Sequence, residues 1–364
     1  MRITGVETII VRLPYRQSGP HSGFGGKLWT TMDTLLVRVD TDAGISGWGE
    51  AFGYNINEGS KATLDTLIAP LCLGRDPTAI AELMADLQRK LHFFGRGGPS
   101  TYGLSGIDIA LWDIAGKVAD LPLHRLLGGA GRRHLRAYAS LLRYGDAAVA
   151  ARVAAEAVSR GYLHVKLHEI TVPPVASARQ AVGSDVALML DTNCPWSLGE
   201  ARRMARELAP HNLFWLEEPI WPPEDVAALA ALRRSIPTAI AAGENAGSVT
   251  HFAQMLAAEA IDYAQPSVTK IGGISEMRRV LAVAEAANVT VVPHSPYFGP
   301  GLLATLHIAA AVAQEMLIER LYVDLDASLF GDLVEAPDGM MPVPEGPGLG
   351  CDPDAAVIAR CRAG

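Results

Sequence analysis

Three short apolar runs in this chain close on acids: VALML ends at Asp191, LFWL leads into Glu217 and Glu218, and TAIAAG into Glu244. Carboxylates are hard oxygen donors, and three of them converging without a cation repel one another strongly. With no Cys or His among them, such a trio suits Mg²⁺ or Mn²⁺ rather than zinc. Adjacent strand residues face opposite ways, so only one of Glu217 and Glu218 can point at the ion. Two further runs carry acid/base groups. Lys166 and His168 lie two apart on LHVKLHEI, on one side of their strand, and His294 closes TVVP. Taken singly, an acid at a strand end caps the next helix and a histidine is a satisfied polar group. Gathered around one cation, these groups describe a reaction: a metal with bases on two sides of a bound carboxylate permits removal of its α-proton.

Such convergence needs a scaffold, and the pattern from Arg136 onward supplies it. The runs RAYASL, LHVKLHEI, VALMLDTN, LFWLEEP, TAIAAGEN, IDYAQPSV, TVVPHSP and ERLYVDL recur about 25 residues apart with Ala-rich helical segments between several of them. This predicts an α/β fold, a closed (β/α)8 barrel of TIM type, whose C-terminal strand ends form the active rim. An open doubly wound sheet is the alternative, but it would carry a glycine-rich phosphate turn after its first strand. The GFGG at Gly23 to Gly26 precedes no helix and reads as flexible loop. Ahead of the barrel, ITGVETIIVRL, DTLLVRVD and GISGWGEAF predict an antiparallel meander, followed by helices over about 61–72, 77–93 and 104–120, the last N-capped by Ser105. The expected organisation is an α+β domain over 1–130, the barrel over 131–326 and a C-terminal segment over 327–364 that returns to the first domain.

The chain has 364 residues, 49% apolar and 19% charged, with a formal charge of −8. That balance argues against nucleic acid as a partner, since phosphate binding needs clustered Lys and Arg; the short Arg132–His134 stretch reads as a solvated loop. Cys72, Cys194, Cys351 and Cys361 show no CxxC pairing, which fits structurally incidental thiols in a reduced compartment. No apolar run nears the roughly 18 residues of a membrane span, and the charged, alternating start does not read as a signal peptide, so a cytoplasmic location is expected.

Several motifs together resemble one family. SGIDIALWD-x-x-GK, HRLLGG followed by YAS, Asp191-x-Asn193, WLEEP at Trp215 to Pro219, GEN at Gly243 to Asn245, KIGG at Lys270 to Gly273, VPH ending at His294 and IERL around Glu319 are similar to the enolase superfamily, mandelate racemase subgroup. The resemblance covers nearly the whole chain. It implies that the first domain caps the barrel, that one Mg²⁺ sits on Asp191, Glu217 and Glu244, and that Lys or His bases form an enediolate. It further implies that Asn193 helps hold the substrate carboxylate and that Glu319 hydrogen-bonds the developing enediolate; an ion pair with Arg320 is the alternative for Glu319.

Two positions depart from that pattern. The subgroup carries Lys-x-Lys at the end of the second strand, and here His168 takes the place of the base beside a supporting Lys166. The subgroup also pairs the histidine of the seventh strand with an Asp, and Ser267 stands there, so the dyad of His294 is missing. A hydroxyl still orients the ring but makes His294 a weaker base. Lys270 is expected to be structural. Cap loops in relatives set specificity, which would put His21, Lys27, Trp29 and Tyr54 against a small-molecule carboxylate, with a homo-oligomer, dimer or octamer, as the expected assembly. Dehydration of an acid sugar is the leading expectation, because two unlike acid/base sites favour elimination. Racemisation or epimerisation, a sugar-lactone cycloisomerisation, and non-catalytic metal and carboxylate binding are the alternatives.

Overall fold

The structure is a computed structural model that describes residues 1–129 and 131–363; residue 130, the expected end of the first domain, lies outside them. Strands β1 (Ile3–Arg16), β2 (Thr31–Thr41) and β3 (Ser46–Ala51) form an antiparallel meander, with Ile10 opposite Leu35 and Val37 opposite Gly49. Gly44, at φ 73°, turns the chain between β2 and β3. A helical segment runs over residues 57–72, followed by helices Ile80–Leu91 and Pro99–Ala119. Ser105 is no N-cap. The last helix starts at Pro99, whose missing N–H costs nothing in a first turn. Ser105 lies inside it, with its Oγ donating to the Thr101 carbonyl and accepting from the Gly272 amide of the barrel.

Helix Pro99–Ala119 lies directly on β3. A Cβ on Gly49 would sit 1.9 Å from the Gly106 carbonyl oxygen, and one on Gly47 2.2 Å from that of Ala110. Bare backbone is what brings sheet and helix together.

Between β1 and β2 the chain does more than meander. Gly23–Phe24 pairs antiparallel with Lys27–Leu28, and Gly25 and Gly26 take φ 65° and 77° at the turn. The GFGG segment expected as flexible loop is therefore a tight two-residue hairpin, the kind of turn that needs positive φ at both centres.

Eight parallel strands follow: β4 (His134–Ser140), β5 (His164–Leu167), β6 (Ala187–Asp191), β7 (Leu216–Glu217), β8 (Ile240–Ala242), β9 (Tyr263–Ala264), β10 (Thr290–Val291) and β11 (Ile318–Leu321). Each pairs with the next from β4 to β10, and β11 pairs with β4. Beyond β10 the seam is bridged by Ser295, whose amide donates to Glu319 Oε2 at 3.0 Å and whose Oγ donates to the Glu319 carbonyl. The barrel interior is packed with Tyr138, Met189, Trp215, Ala241 and Val292, so the acids stand on a solid floor.

The C-terminal segment runs back over the first domain. Leu325 and Asp324 pair with Tyr15 and Arg16 at the end of β1, and Arg362 bridges Val11. No helix among the described residues is long and apolar enough to cross a membrane.

Candidate active site and metal centre

Carboxylate oxygens of Asp191, Glu217 and Glu244, from the ends of β6, β7 and β8, all lie within 4.8 Å of one another. Octahedral magnesium with bonds of about 2.1 Å puts adjacent ligands about 3.0 Å and opposite ones about 4.2 Å apart, so these three oxygens become a ligand set by drawing inward onto the ion. Their electrostatics fit the same group. Burial and the neighbouring Asp191 charge push the Glu217 carboxyl well above its ordinary range, the crowding that a divalent cation relieves. Trp215 Nε1 fixes the second oxygen, Glu217 Oε2, at 2.9 Å.

Glu218 is turned away. Its backbone takes φ 45°, and its carboxylate accepts from the Gly243 amide at 3.0 Å and from Cys194 Sγ at 3.2 Å. Burial, then the Glu244 charge, raises it to about 7. Of the adjacent pair, Glu217 is the one that joins the trio.

Lys166 is completely buried, with Nζ 2.8 Å from Glu217 Oε1, 2.9 Å from Glu319 Oε1 and 3.3 Å from Asp191 Oδ2. Burial lowers its pKa, but the Glu217 and Glu319 charges outweigh that and raise it well above the ordinary amine value. Burial likewise pushes Asp191 up, and Lys166 with His168 more than reverses it, holding the carboxyl well below its usual range. Glu319 is not paired with Arg320. It accepts from Ser140 Oγ at 2.7 Å and from the Ser295 amide, while Arg320 turns to the Val334 carbonyl and Glu335.

The two histidines flank the acids. His168 Nε2 lies 3.2 Å from Asp191 Oδ2, and its Nδ1 contacts the Leu141 carbonyl, an obligate acceptor that fixes a hydrogen on Nδ1. His294 Nε2 lies 2.7 Å from Glu244 Oε2. Burial raises Glu244, but His294 and Lys270 outweigh it and bring the carboxyl down to about 2. Behind the ring, Nδ1 faces two hydroxyls, Ser267 Oγ and Tyr297 Oη, each at 3.4 Å.

These groups open into a cavity of about 350 Å³ between barrel and cap. His168, Asn193, Glu244, His294 and Glu319 line it from the barrel, and Trp29 and Tyr54 from the cap. Trp29 stacks on Tyr54 with centroids 5.0 Å apart and donates to Asn55 Oδ1 at 3.2 Å. Other expected site residues sit elsewhere. His21 and Lys27 are exposed and outside the cavity lining, because the hairpin turn carries Lys27 into solvent. Ser267 is buried behind His294 and does not line the cavity.

Sequence reasoning missed several cavity residues. Arg143 lines it and donates to the His168 carbonyl at 2.6 Å, the Thr192 carbonyl at 3.1 Å and Asn193 Oδ1 at 2.9 Å. Its signal was available, since it is the first cation after the β4 run. Lys270, expected to be structural, lines the cavity with Nζ 4.8 Å from the Phe52 ring centre. Tyr297, three residues past His294, is buried behind that ring and outside the cavity lining, and had no motif to mark it.

The family model for the mandelate racemase / muconate lactonizing enzyme N-terminal domain matches residues 7–128, and the enolase C-terminal domain-like model matches residues 148–357. The chain belongs to the enolase superfamily, in its mandelate racemase and muconate lactonizing enzyme branch. It is 31% identical over 330 residues to arabinonate dehydratase of Saccharolobus solfataricus, covering 88% of both chains. It is 31% identical over 381 aligned positions to D-galactarolactone cycloisomerase of Agrobacterium fabrum, covering 100% of this chain and 99% of that one. A solved enolase-superfamily member from Polaromonas sp. JS666 is 32% identical with a TM-score of 0.90, over 100% of this chain and 98% of that one. A racemase from Streptomyces coelicolor A3(2) with bound magnesium is 28% identical with a TM-score of 0.86, over 99% and 100%.

Proposed function

We propose that this chain is a magnesium-dependent dehydratase of acid sugars, converting a 2,3-dihydroxy carboxylate to a 2-keto acid. The observation that carries this reading is the pair of unlike imidazoles lining one cavity, His168 against Asp191 and His294 against Glu244. When bound on Asp191, Glu217 and Glu244, the metal supplies positive charge to the carboxylate oxygens as they take up the α-carbon's electron pair.

The chain's own groups do the rest. His168 carries its hydrogen on Nδ1, held by the Leu141 carbonyl, so Nε2 can take the α-proton. Buried Lys166 offsets the charges of Asp191, Glu217 and Glu319, and Glu319, fixed by Ser140 and Ser295 at the cavity wall, donates to the developing oxyanion once it has taken a proton. Asn193, pinned by Arg143, holds the substrate carboxylate. His294, as the imidazolium, gives its Nε2 proton to the departing β-hydroxyl; the carbon–oxygen bond breaks, water leaves, and the enol tautomerises to the 2-keto acid.

The named relatives support the reading, one a dehydratase of a sugar acid and one a cycloisomerase of a sugar lactone. The test is incubation of the purified chain with Mg²⁺ and a panel of aldonic acids, aldaric acids and galactarolactone. A 2-keto acid formed from at least one open-chain acid is the expected result. Isomerisation of the lactone alone would replace dehydratase by cycloisomerase, and an inert panel would sink both.

A further inference from the structure

We infer that Lys270 binds a second carboxylate at the far end of the substrate, so that the acid sugar this chain dehydrates is a dicarboxylic aldaric acid and not an aldonic acid. The inference rests on the dehydratase reading. Lys270 is only 8% exposed and lines the cavity, with Nζ over the face of the Phe52 ring. Among the described residues no carboxylate lies within 4.0 Å of that ammonium and no hydrogen-bond acceptor meets it. Glu244 feels its charge from beyond that distance, but the Glu244 carboxylate is taken up by His294 and the metal set. Lys166, by contrast, is buried against three carboxylates. A ring face attracts a cation but accepts no conventional hydrogen bond, and a charge held out of water is costly until an opposite charge meets it.

The turn that carries the ammonium is set before any ligand arrives. The Lys270 amide donates to the Ser267 carbonyl at 2.9 Å, and the Gly273 amide to the Val268 carbonyl at 3.2 Å. The cap fastens the same turn twice. The Phe52 amide donates to the Thr269 carbonyl at 3.2 Å, and Ser105 Oγ accepts from the Gly272 amide. A turn fixed by both domains leaves less for binding to order.

Position decides which part of the substrate Lys270 meets. Asn193 follows β6 and Lys270 follows β9, so the two flank the metal trio of β6, β7 and β8 from opposite sides. The carboxylate beside the reacting carbon belongs to the metal and Asn193, and the sugar chain then runs past His168 and His294 towards Lys270. Its hydroxyls find neutral partners along the cavity in Tyr54, Asn55 and Asn245. Arg143, the other permanent cation of the lining, stands on the Asn193 side and donates there to two carbonyls and Asn193 Oδ1. A hydroxymethyl end would leave the Lys270 charge unmatched, whereas a carboxylate neutralises it with charge-assisted hydrogen bonds.

The test compares aldaric and aldonic acids of the same configuration, differing only in a carboxylate or a hydroxymethyl group at the far end, with the full chain and Mg²⁺. The parent should show a kcat/KM about tenfold or more higher for the aldaric partner, the scale of one hydrogen bond between charged groups. In Lys270→Met, similar in length but uncharged, that preference should fall by about tenfold through a raised KM for the aldaric acid. A parent that prefers the aldonic partner overturns the inference whatever the variant does, and leaves the dehydratase reading standing. Equal loss on both acids in Lys270→Met, with the preference kept, marks a structural lysine and overturns it too. If neither acid of any pair loses water, the dehydratase reading falls and the inference falls with it.

Discussion

Asp191, Glu217 and Glu244 come from three strands that share no sequence neighbourhood, and their oxygens nevertheless gather within 4.8 Å. Removing one ligand charge should therefore damage binding of the ion and catalysis together. Glu244→Gln is expected to lower kcat/KM by on the order of 10³-fold, the scale of losing one strong transition-state electrostatic partner. Calorimetric titration with Mg²⁺ should show weakened binding in the same variant; undiminished affinity would remove Glu244 from the ligand set. This much was legible in the sequence, because an acid closing an apolar run is a local signal. The roles of Arg143 and Tyr297 were not legible. Arg143 works through backbone carbonyls and Tyr297 through a hydroxyl behind a ring, and neither relation leaves a mark in residue order.

Among elements, the tightest constraint is where helix Pro99–Ala119 crosses β3. Gly49→Ala places a methyl 1.9 Å from the Gly106 carbonyl oxygen, backbone that cannot swing aside. Such overpacking costs about 1–3 kcal/mol, so the melting temperature should drop by several degrees, and a neutral Gly49→Ala would show that helix and sheet are not in that contact. The meander was readable from period-two alternation, and the barrel from recurring runs. The start of the helix was not, since Ser105 mimics a cap while Pro99 and the packing on β3 decide the boundary.

Where β3 meets the barrel, Glu50 is buried and accepts from the Gly301 amide at 2.8 Å, joining cap to barrel. Burial pushes its carboxyl from 4.5 up to about 8, despite that amide. The folded chain thus keeps a proton that the unfolded chain has lost between those values, so stability falls as pH rises across this window, by at most about 1.4 kcal/mol per pH unit. The contribution is complete below pH 4.5 and gone above about 8. Melting of Glu50→Gln from pH 5 to 9 should show a shallower decline than the parent. Parallel declines would assign the pH dependence to other groups.

At the scale of the molecule, labour is divided: the barrel carries the acids and both histidines, while the cap brings aromatic and amide side chains to the same cavity. Trp29 belongs wholly to the second group. It stacks on Tyr54, donates to Asn55 and accepts from the Tyr15 hydroxyl through its carbonyl, and the metal trio includes no cap residue. Trp29→Ala should therefore open the cavity roof without touching the ion. The expected outcome is a KM raised about tenfold, since a lost apolar wall removes about 1–3 kcal/mol of substrate binding, with Mg²⁺ affinity within about twofold of the parent. Steady-state kinetics beside metal titration of the same preparation separates the two. If both fell together, cap and barrel would not be independent contributors, and substrate selection could not be altered in the cap while the barrel chemistry is kept.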